Sequence, residues 1–132
     1  MSERKYIEPQ PSAETQPFWD GAKQGKLLVR SCRSCDKAHW YPRNHCPLCG
    51  SRDLEWIEAS GKGEVYSYSY MRRADPPYVM AYVTLAEGPT MMTNLVECDA
   101  DKIRIGDKVQ VKFIETSGGV HLPMFTPQSA VP

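Results

Sequence analysis

The chain has 132 residues and carries 16 basic and 16 acidic side chains, so its formal net charge is zero. This balance gives no support to a general polyanion-binding protein, which usually shows a strong basic bias. The polar start of the sequence leads into no apolar run, and no later run is long enough to cross a membrane. We therefore predict a cytoplasmic protein that is neither secreted nor membrane-spanning.

A short helix is the first predicted element, after a polar, extended and partly mobile arm at residues 1–11. Pro17 suits the first helical turn, where its missing N–H is not needed, and Gly25 supplies a stop. Phe18 and Trp19 begin an apolar stripe at helical spacing. Because a helix of about two turns does not persist alone, these two side chains must bury against this chain's own ribbon or barrel, or contact a partner subunit.

The cysteines give the strongest signal in the sequence. Two Cys-x-x-Cys pairs stand ten residues apart, which is the pattern of a tetrahedral site for one zinc ion. Gly50 follows the second pair, where a residue with positive φ lets the backbone turn beneath the metal. Four thiolates leave no open coordination position, so the zinc should be structural, although iron also accepts such a cage. The predicted ligands are Cys32, Cys35, Cys46 and Cys49.

Other roles for these residues are less well supported. Disulfides would suit an oxidising compartment, but no secretory signal is recognised before the cysteines. A thioredoxin-like redox site would need only one Cys-x-x-Cys pair, whereas this sequence has two. His39 and His45 lie near the cage, but four cysteines suffice, so we expect these histidines to support the ligands or to lie on the surface. Cys98 stands between Glu97 and Asp99, whose charges disfavour its thiolate. It is expected to be a half-buried, unreactive thiol.

Beyond the helix, the sequence alternates with the period of β-strands. Three strands belong to the ribbon, and a small-residue break at residues 59–63 separates them from five more. Five short strands without room for a crossover helix predict a small antiparallel barrel, for which the OB-fold is the obvious candidate. The predicted strands span residues 26–31, 39–42, 54–58, 63–71, 78–85, 91–96, 109–113 and 120–125.

The predicted fold is therefore mainly β. Its four parts are an arm with a short helix at residues 1–25, a zinc ribbon at 26–59, a five-stranded OB-fold at 60–127 and a tail at 128–132.

The first barrel strand and the loop after it bear on function. Strict alternation would place Tyr66, Tyr68 and Tyr70 on one face, either as a stacking platform for bases or as rings at the core or rim of the barrel. The loop at residues 72–77 contains two successive prolines and cannot lie in a strand ladder. In an OB-fold, this loop often faces the ligand.

The order of these motifs resembles a known family. A Phe-Trp helix, a Cys-x-x-Cys…Cys-Pro-x-Cys-Gly ribbon and a Gly-x-Val-Tyr-Ser-Tyr strand precede Pro-Pro-Tyr-x-x-Ala-Tyr-Val-x-Leu-x-Glu-Gly-Pro and Ile-Gly-Asp-x-Val. Over residues 15–127, the chain is similar to zinc-ribbon/OB-fold proteins, classified as a domain of unknown function, that associate with thiolases and other acyl-CoA enzymes. The resemblance implies a rubredoxin-like ribbon beside an OB-fold.

The resemblance also implies a function. Similar proteins act as non-catalytic accessory subunits or fused domains, while a thiolase-like acyltransferase, a hydratase or an aldolase supplies the reacting groups. We expect this chain to be such a subunit of a hetero-oligomer, supporting assembly and CoA-substrate binding, with one structural Zn²⁺ per chain. It is not expected to be an enzyme on its own.

Four further residues are candidate contacts in this interpretation. Phe18 and Trp19 would contact the partner. Arg72 and Arg73, on the proline-rimmed loop, would contact CoA phosphates or partner carboxylates, because arginine recognises both. A solvated turn is the alternative for the two arginines.

Two other functions stay open at this point. Zinc ribbons and OB-folds also bind single-stranded nucleic acid, which would make binding strongly salt-dependent. A stand-alone, zinc-stabilised module with an unrelated partner is the third possibility.

Overall fold

The computed structural model describes residues 5–128, which form one α-helix, eight strands and a single 3₁₀ turn. No helix among these residues is long and apolar enough to span a membrane. The predicted tail, except for Gln128, and the first four residues of the arm lie outside the described part. The elements are α1 (Gln16–Lys23), β1 (Leu27–Cys32), β2 (Ala38–His39), β3 (Leu54–Ala59), β4 (Lys62–Met71), β5 (Tyr78–Leu85), β6 (Thr90–Leu95), the 3₁₀ turn (Ala100–Lys102), β7 (Lys108–Glu115) and β8 (His121–Pro127).

Helix α1 begins and ends where the sequence indicates. Pro17 lies in its first turn. Beyond the last turn, Gly25 adopts a φ of +77°, and the N–H of Lys26 donates to the carbonyl of Gly21 at 2.9 Å, which closes the helix in the manner of a glycine C-cap. Gly21 also allows close packing on β1, because a Cβ there would lie 2.7 Å from Cδ1 of Leu28.

The ribbon is a three-stranded antiparallel sheet in the order β2–β1–β3. Strand β1 pairs with β3 over its whole length and with β2 at two positions. The predicted return strand at residues 39–42 is therefore shorter than expected. The central position of β1 places Arg30 opposite both Trp56 and His39, and directly opposite residues of an antiparallel pair share one face of the sheet.

The remaining five strands close into a barrel in the order β4–β5–β6–β8–β7. Four of the pairings are antiparallel, and β6 meets β8 in parallel at Leu95 and Phe125. This order, with a long first strand and a short helical turn between the third and fourth, is the expected five-stranded OB-fold barrel.

A single cluster of buried side chains runs through the helix, the ribbon and the barrel. It joins Phe18 of α1 and Val29 of β1 to Val65 and Phe125 of the barrel, and each of these side chains is at most 3% exposed. Burying a side chain of this size is worth about 1.5–3 kcal/mol. The ribbon, too small to bury a core of its own, thus shares the core of the barrel across the break at residues 59–63.

The predicted tyrosine face is broken by a β-bulge. The register of β4 on β5 shifts between Val65 and Ser67, so the extra residue, Tyr66, is exposed while Tyr68 and Tyr70 pair with buried residues of β5. Strict alternation was therefore the wrong expectation for this strand. A continuous three-ring platform for bases is not formed.

The described part of the arm is tied to the barrel. The carboxylate of Glu8 accepts hydrogen bonds from the hydroxyl of Thr116 at 2.6 Å and from the N–H of Gly118 at 2.8 Å. These contacts join residues more than a hundred positions apart and hold the arm against the turn between β7 and β8, where the sequence indicated a partly mobile segment.

Candidate metal centre and junction cleft

The two cysteine knuckles have the same backbone construction. In the first, the N–H of Cys32 donates to the carbonyl of Lys37 at 2.9 Å; in the second, the N–H of Cys46 donates to the carbonyl of Ser51 at 2.8 Å. Each bond closes a tight turn that projects two sulfurs to the same side. The knuckles are thus two copies of one local structure, facing each other.

A residue with positive φ completes each turn. Gly50 has a φ of +80°, as its position after the second pair predicts, and Asp36 takes the equivalent place in the first knuckle with a φ of +59°. Their N–H groups donate to the carbonyls of Cys46 and Cys32. Aspartate is one of the few non-glycine residues that adopts this conformation readily. Asp36 was not singled out from the sequence, although it stands four residues after Cys32, as Gly50 does after Cys46.

The four sulfurs have the spacing of a tetrahedral metal site. The Sγ atoms of Cys32 and Cys49 are 3.6 Å apart, those of Cys35 and Cys46 are 3.7 Å apart, and all four lie within 4.8 Å of one another. A Zn–S distance of about 2.3 Å gives tetrahedral S···S edges of about 3.8 Å. One metal ion therefore fits at the centre.

The electrostatics of the four thiols also favours a cation. The backbone N–H of Cys35 lowers the pKa of Cys32 to about 6, whereas burial and the neighbouring sulfurs raise the pKa of Cys35 to about 12. Thiolates this close oppose one another's ionisation. A divalent metal removes the conflict, because it binds all four as thiolates. When bound, it would supply cross-linking between the knuckles rather than catalysis.

Polar contacts reinforce this cross-link on the surface. The hydroxyls of Ser34 and Ser51 are 2.8 Å apart and join the tips of the knuckles. Arg33 pairs with Asp53 at 2.9 Å and with Glu55 at 3.3 Å. Because these side chains are largely exposed, solvent screens the ion pairs and they add little stability.

The two histidines near the cage differ in their surroundings. His45 is exposed, and its Nε2 lies 2.9 Å from Nε of Arg52. His39 is 7% exposed, and neither ring nitrogen has a hydrogen-bond partner among the described residues. Burial, followed by the charges of Arg30 and Arg43, lowers the pKa of His39. Of the two predicted positions, supporting the ligands or lying on the surface, His45 takes the surface one, whereas His39 packs as a neutral, buried ring.

Cys98 is half-buried against the core cluster. Burial and then the charge of Asp99 raise its pKa, so the thiol stays protonated, as expected.

An apolar cleft of about 420 Å³ opens where α1 and the ribbon meet β5, β6 and β8. We call it the junction cleft. None of its lining side chains is charged, and methionines and aromatic rings predominate. The lining residues are Thr15, Phe18, Trp19, Trp40, Tyr41, Pro42, Tyr78, Met80, Met92, Thr93, Asn94, Leu122, Pro123 and Met124.

The predicted contact residues of α1 occupy different depths of this cleft. Phe18 is 3% exposed and meets Trp19 and Trp40 edge to face, with ring centroids 4.9 and 5.1 Å apart. It therefore belongs to the chain's own core and offers a partner little surface. Trp19 is partly buried against that core and lines the cleft, so it remains the candidate contact of the pair.

Large apolar side chains surround the mouth of the cleft. Met92 is 57% exposed and Tyr41 is 52% exposed. Tyr82, directly opposite Met92 on β5, is 42% exposed. The sequence shows no local pattern for this group, because its members come from the ribbon and from two barrel strands.

Residues 72–77, the predicted arginine loop, do not line the junction cleft. Arg72 stacks on Tyr70, with Cζ 4.6 Å from the ring centroid, and pairs with Asp101 at 3.3 Å. Arg73 is exposed beside it. The charge of Arg72 is thus partly balanced within the chain, and contacts of Arg72 and Arg73 with CoA stay a prediction.

Two family profiles match adjacent segments of the chain. The profile described as the ChsH2 rubredoxin-like zinc ribbon domain matches residues 19–55, and that described as the ChsH2 C-terminal OB-fold domain matches residues 56–113. The chain is 36% identical over 108 residues to a DUF35 domain-containing scaffold protein of Methanothermobacter thermautotrophicus, covering 76% of this chain and 81% of that protein.

Two further relatives carry names of enzymes. A probable enoyl-CoA hydratase alpha subunit of Thermomonospora curvata is 38% identical over 135 residues; the match covers 97% of this chain but only 42% of that protein. A solved structure described as the Ltp2-ChsH2(DUF35) aldolase aligns with a TM-score of 0.81 and 36% identity, covering 92% of this chain and 99% of that one.

Proposed function

Because this chain belongs to the DUF35 family of zinc-ribbon/OB-fold proteins, we propose that it is an accessory subunit of an enzyme that processes CoA thioesters. The partner supplies the reacting groups and is a thiolase-like acyltransferase, a hydratase or an aldolase. This chain supports assembly of the complex and binding of the CoA substrate. The names of the hydratase and aldolase relatives support this assignment.

The observation that carries the proposal is the junction cleft. An uncharged surface rich in methionine and aromatic side chains has the composition of an interface core, from which charged residues are depleted. Methionine suits such a surface because its side chain adapts to irregular partners. Met92 and Tyr41, each more than half exposed at the mouth, are the side chains that a partner enzyme would bury.

The zinc site has a supporting role in this function. Cross-linking the knuckles holds the chain between them, including Tyr41, which lines the cleft together with Met92 of the barrel. The cleft exists only while both sheets hold this arrangement. The metal therefore acts on assembly and not on the reacting bond.

Affinity purification from the native host at moderate salt tests the proposal. The expected result is a stoichiometric partner enzyme that turns over CoA thioesters when bound to this chain. Recovery of nucleic acid, or of the chain without any enzyme of this class, would contradict it.

A matched pair of variants then tests the cleft. Met92→Glu places a charge at the mouth and should weaken partner binding at least about tenfold, because a buried unpaired charge is costly. Ile105→Glu is the control, since Ile105 is 71% exposed and lines a separate depression with Lys62 and Lys108. Equal partner binding by the two variants would remove the cleft from the interface.

A further inference from the structure

Two arginines of the ribbon are held in place by aromatic rings. Cζ of Arg30 lies 4.6 Å from the ring centroid of Trp56, and Cζ of Arg43 lies 4.6 Å from that of Tyr41. Nε of Arg30 donates to the carbonyl of Arg43 at 3.3 Å, which draws the two residues together. Stacking fixes each guanidinium through its face, while its N–H edge is left to bind an anion.

The positive charge of this pair is only partly balanced. Among residues 5–128, the one carboxylate within ion-pair distance of either guanidinium is that of Glu14, whose Oε1 lies 3.8 Å from Nη1 of Arg43, too far for a good hydrogen bond. His39 adds no charge, because burial and the two arginines lower its pKa. Arg30 lies directly opposite His39 in the sheet, and its Nε reaches the carbonyl of Arg43, so the two arginines are neighbours.

Another arginine of the ribbon provides the contrast. Arg33 contacts two carboxylates, those of Asp53 at 2.9 Å and Glu55 at 3.3 Å. Its charge is matched within the chain, whereas Arg30 and Arg43 share one distant carboxylate. The pair therefore keeps part of its positive charge and its terminal N–H donors for a ligand.

We propose that Arg30 and Arg43 form a binding site for a phosphoryl anion. Guanidinium groups bind phosphate oxygens with paired N–H donors, and two of them match the charge of a dianion. The site adjoins the junction cleft through Tyr41, which carries Arg43 on its ring and also lines the cleft. A ligand with phosphate groups and an extended less polar part, as in a CoA thioester, can therefore bind at the edge of the cleft, between this chain and the partner enzyme. The assignment to CoA rests on the proposed function, but the anion site does not.

Calorimetric titration of the zinc-loaded full chain tests the site with two probes, coenzyme A and inorganic pyrophosphate. We expect the wild-type chain to bind both, and Arg43→Gln to weaken each at least about tenfold, because charge-assisted hydrogen bonds are lost. Arg33→Gln, the matched control, should bind within about twofold of wild type. Glu14→Gln removes the competing carboxylate and should tighten binding severalfold.

The outcomes separate the claims. Tighter binding of coenzyme A than of pyrophosphate supports a nucleotide source, and equal binding supports a simple phosphoryl site. Absence of binding by the wild-type chain, or unchanged binding by both Arg43→Gln and Arg30→Gln with normal zinc content and circular dichroism, would overturn the site. If Arg43→Gln lost binding of the partner enzyme but kept binding of coenzyme A, the anion site would also be overturned. If affinity purification from the native host yields no CoA enzyme, the proposed function is refuted. The anion site would still be tested by the titration.

Discussion

Replacing Phe18 with alanine should destabilise the whole chain. Phe18 is 3% exposed, lies between Trp19 and Trp40, and belongs to the core cluster shared by the helix, the ribbon and the barrel. Truncating a buried phenylalanine to alanine costs about 3–5 kcal/mol, from lost burial and from the cavity left behind. Domains of this size have total unfolding free energies of about 5–15 kcal/mol. The variant should therefore lose a large part of its stability.

Replacing Phe18 with leucine separates packing volume from ring geometry. Leucine refills most of the space but has no ring, so both edge-to-face contacts, with Trp19 and with Trp40, are lost. Each such contact is worth about 0.5–1.5 kcal/mol beyond area burial. Phe18→Leu should therefore cost about 1–3 kcal/mol, and less than Phe18→Ala.

Equilibrium urea unfolding in zinc-containing buffer, followed by tryptophan fluorescence, measures these costs. Trp19 and Trp40 report directly on the packing around residue 18. Ile7→Ala is the control, because Ile7 is 93% exposed and its loss should change the unfolding free energy by no more than about 0.5 kcal/mol. A loss below about 1 kcal/mol for Phe18→Ala, or equal losses for the alanine and leucine variants, would refute the shared-core reasoning.

Two further predictions concern the ribbon. Cys46→Ser, or chelation of the metal, should abolish stoichiometric zinc binding and broaden the ribbon amide signals in NMR spectra, because the metal cross-links the knuckles; an undisturbed ribbon spectrum without metal would contradict a structural metal. The lowered pKa of His39 means that the unfolded chain binds the proton more tightly, so this residue should cost stability as pH falls below about 6.5 and have no effect above it. His39→Gln should lose less unfolding free energy than wild type between about pH 7.5 and about pH 5.5; equal losses would show that the ring titrates normally.

The amino-acid sequence determined the features that depend on local spacing. Two Cys-x-x-Cys pairs at this spacing predict a metal site, because each knuckle forms from consecutive residues. The predicted mainly β fold is confirmed, with its short helix, its zinc ribbon and its closed five-stranded barrel. Alternation and turn residues located the strands, apart from the bounds of the short β2, since strand periodicity and turn chemistry are local properties. Local spacing could even have found Asp36, which stands four residues after Cys32 as Gly50 does after Cys46.

Only the tertiary structure decided how distant segments meet. The bulge at Tyr66 depends on the register between two strands and breaks an aromatic face that alternation alone predicts. The junction cleft brings Tyr41 of the ribbon to Met92 of the barrel. The arginine pair forms because Arg30 in β1 and Arg43 in a loop stack on different rings. None of these contacts has a sequence period. The bulge depends on strand register within the barrel and the arginine pair on the folding of the ribbon, while the cleft depends on how the ribbon packs on the barrel. That packing is a property of the whole chain.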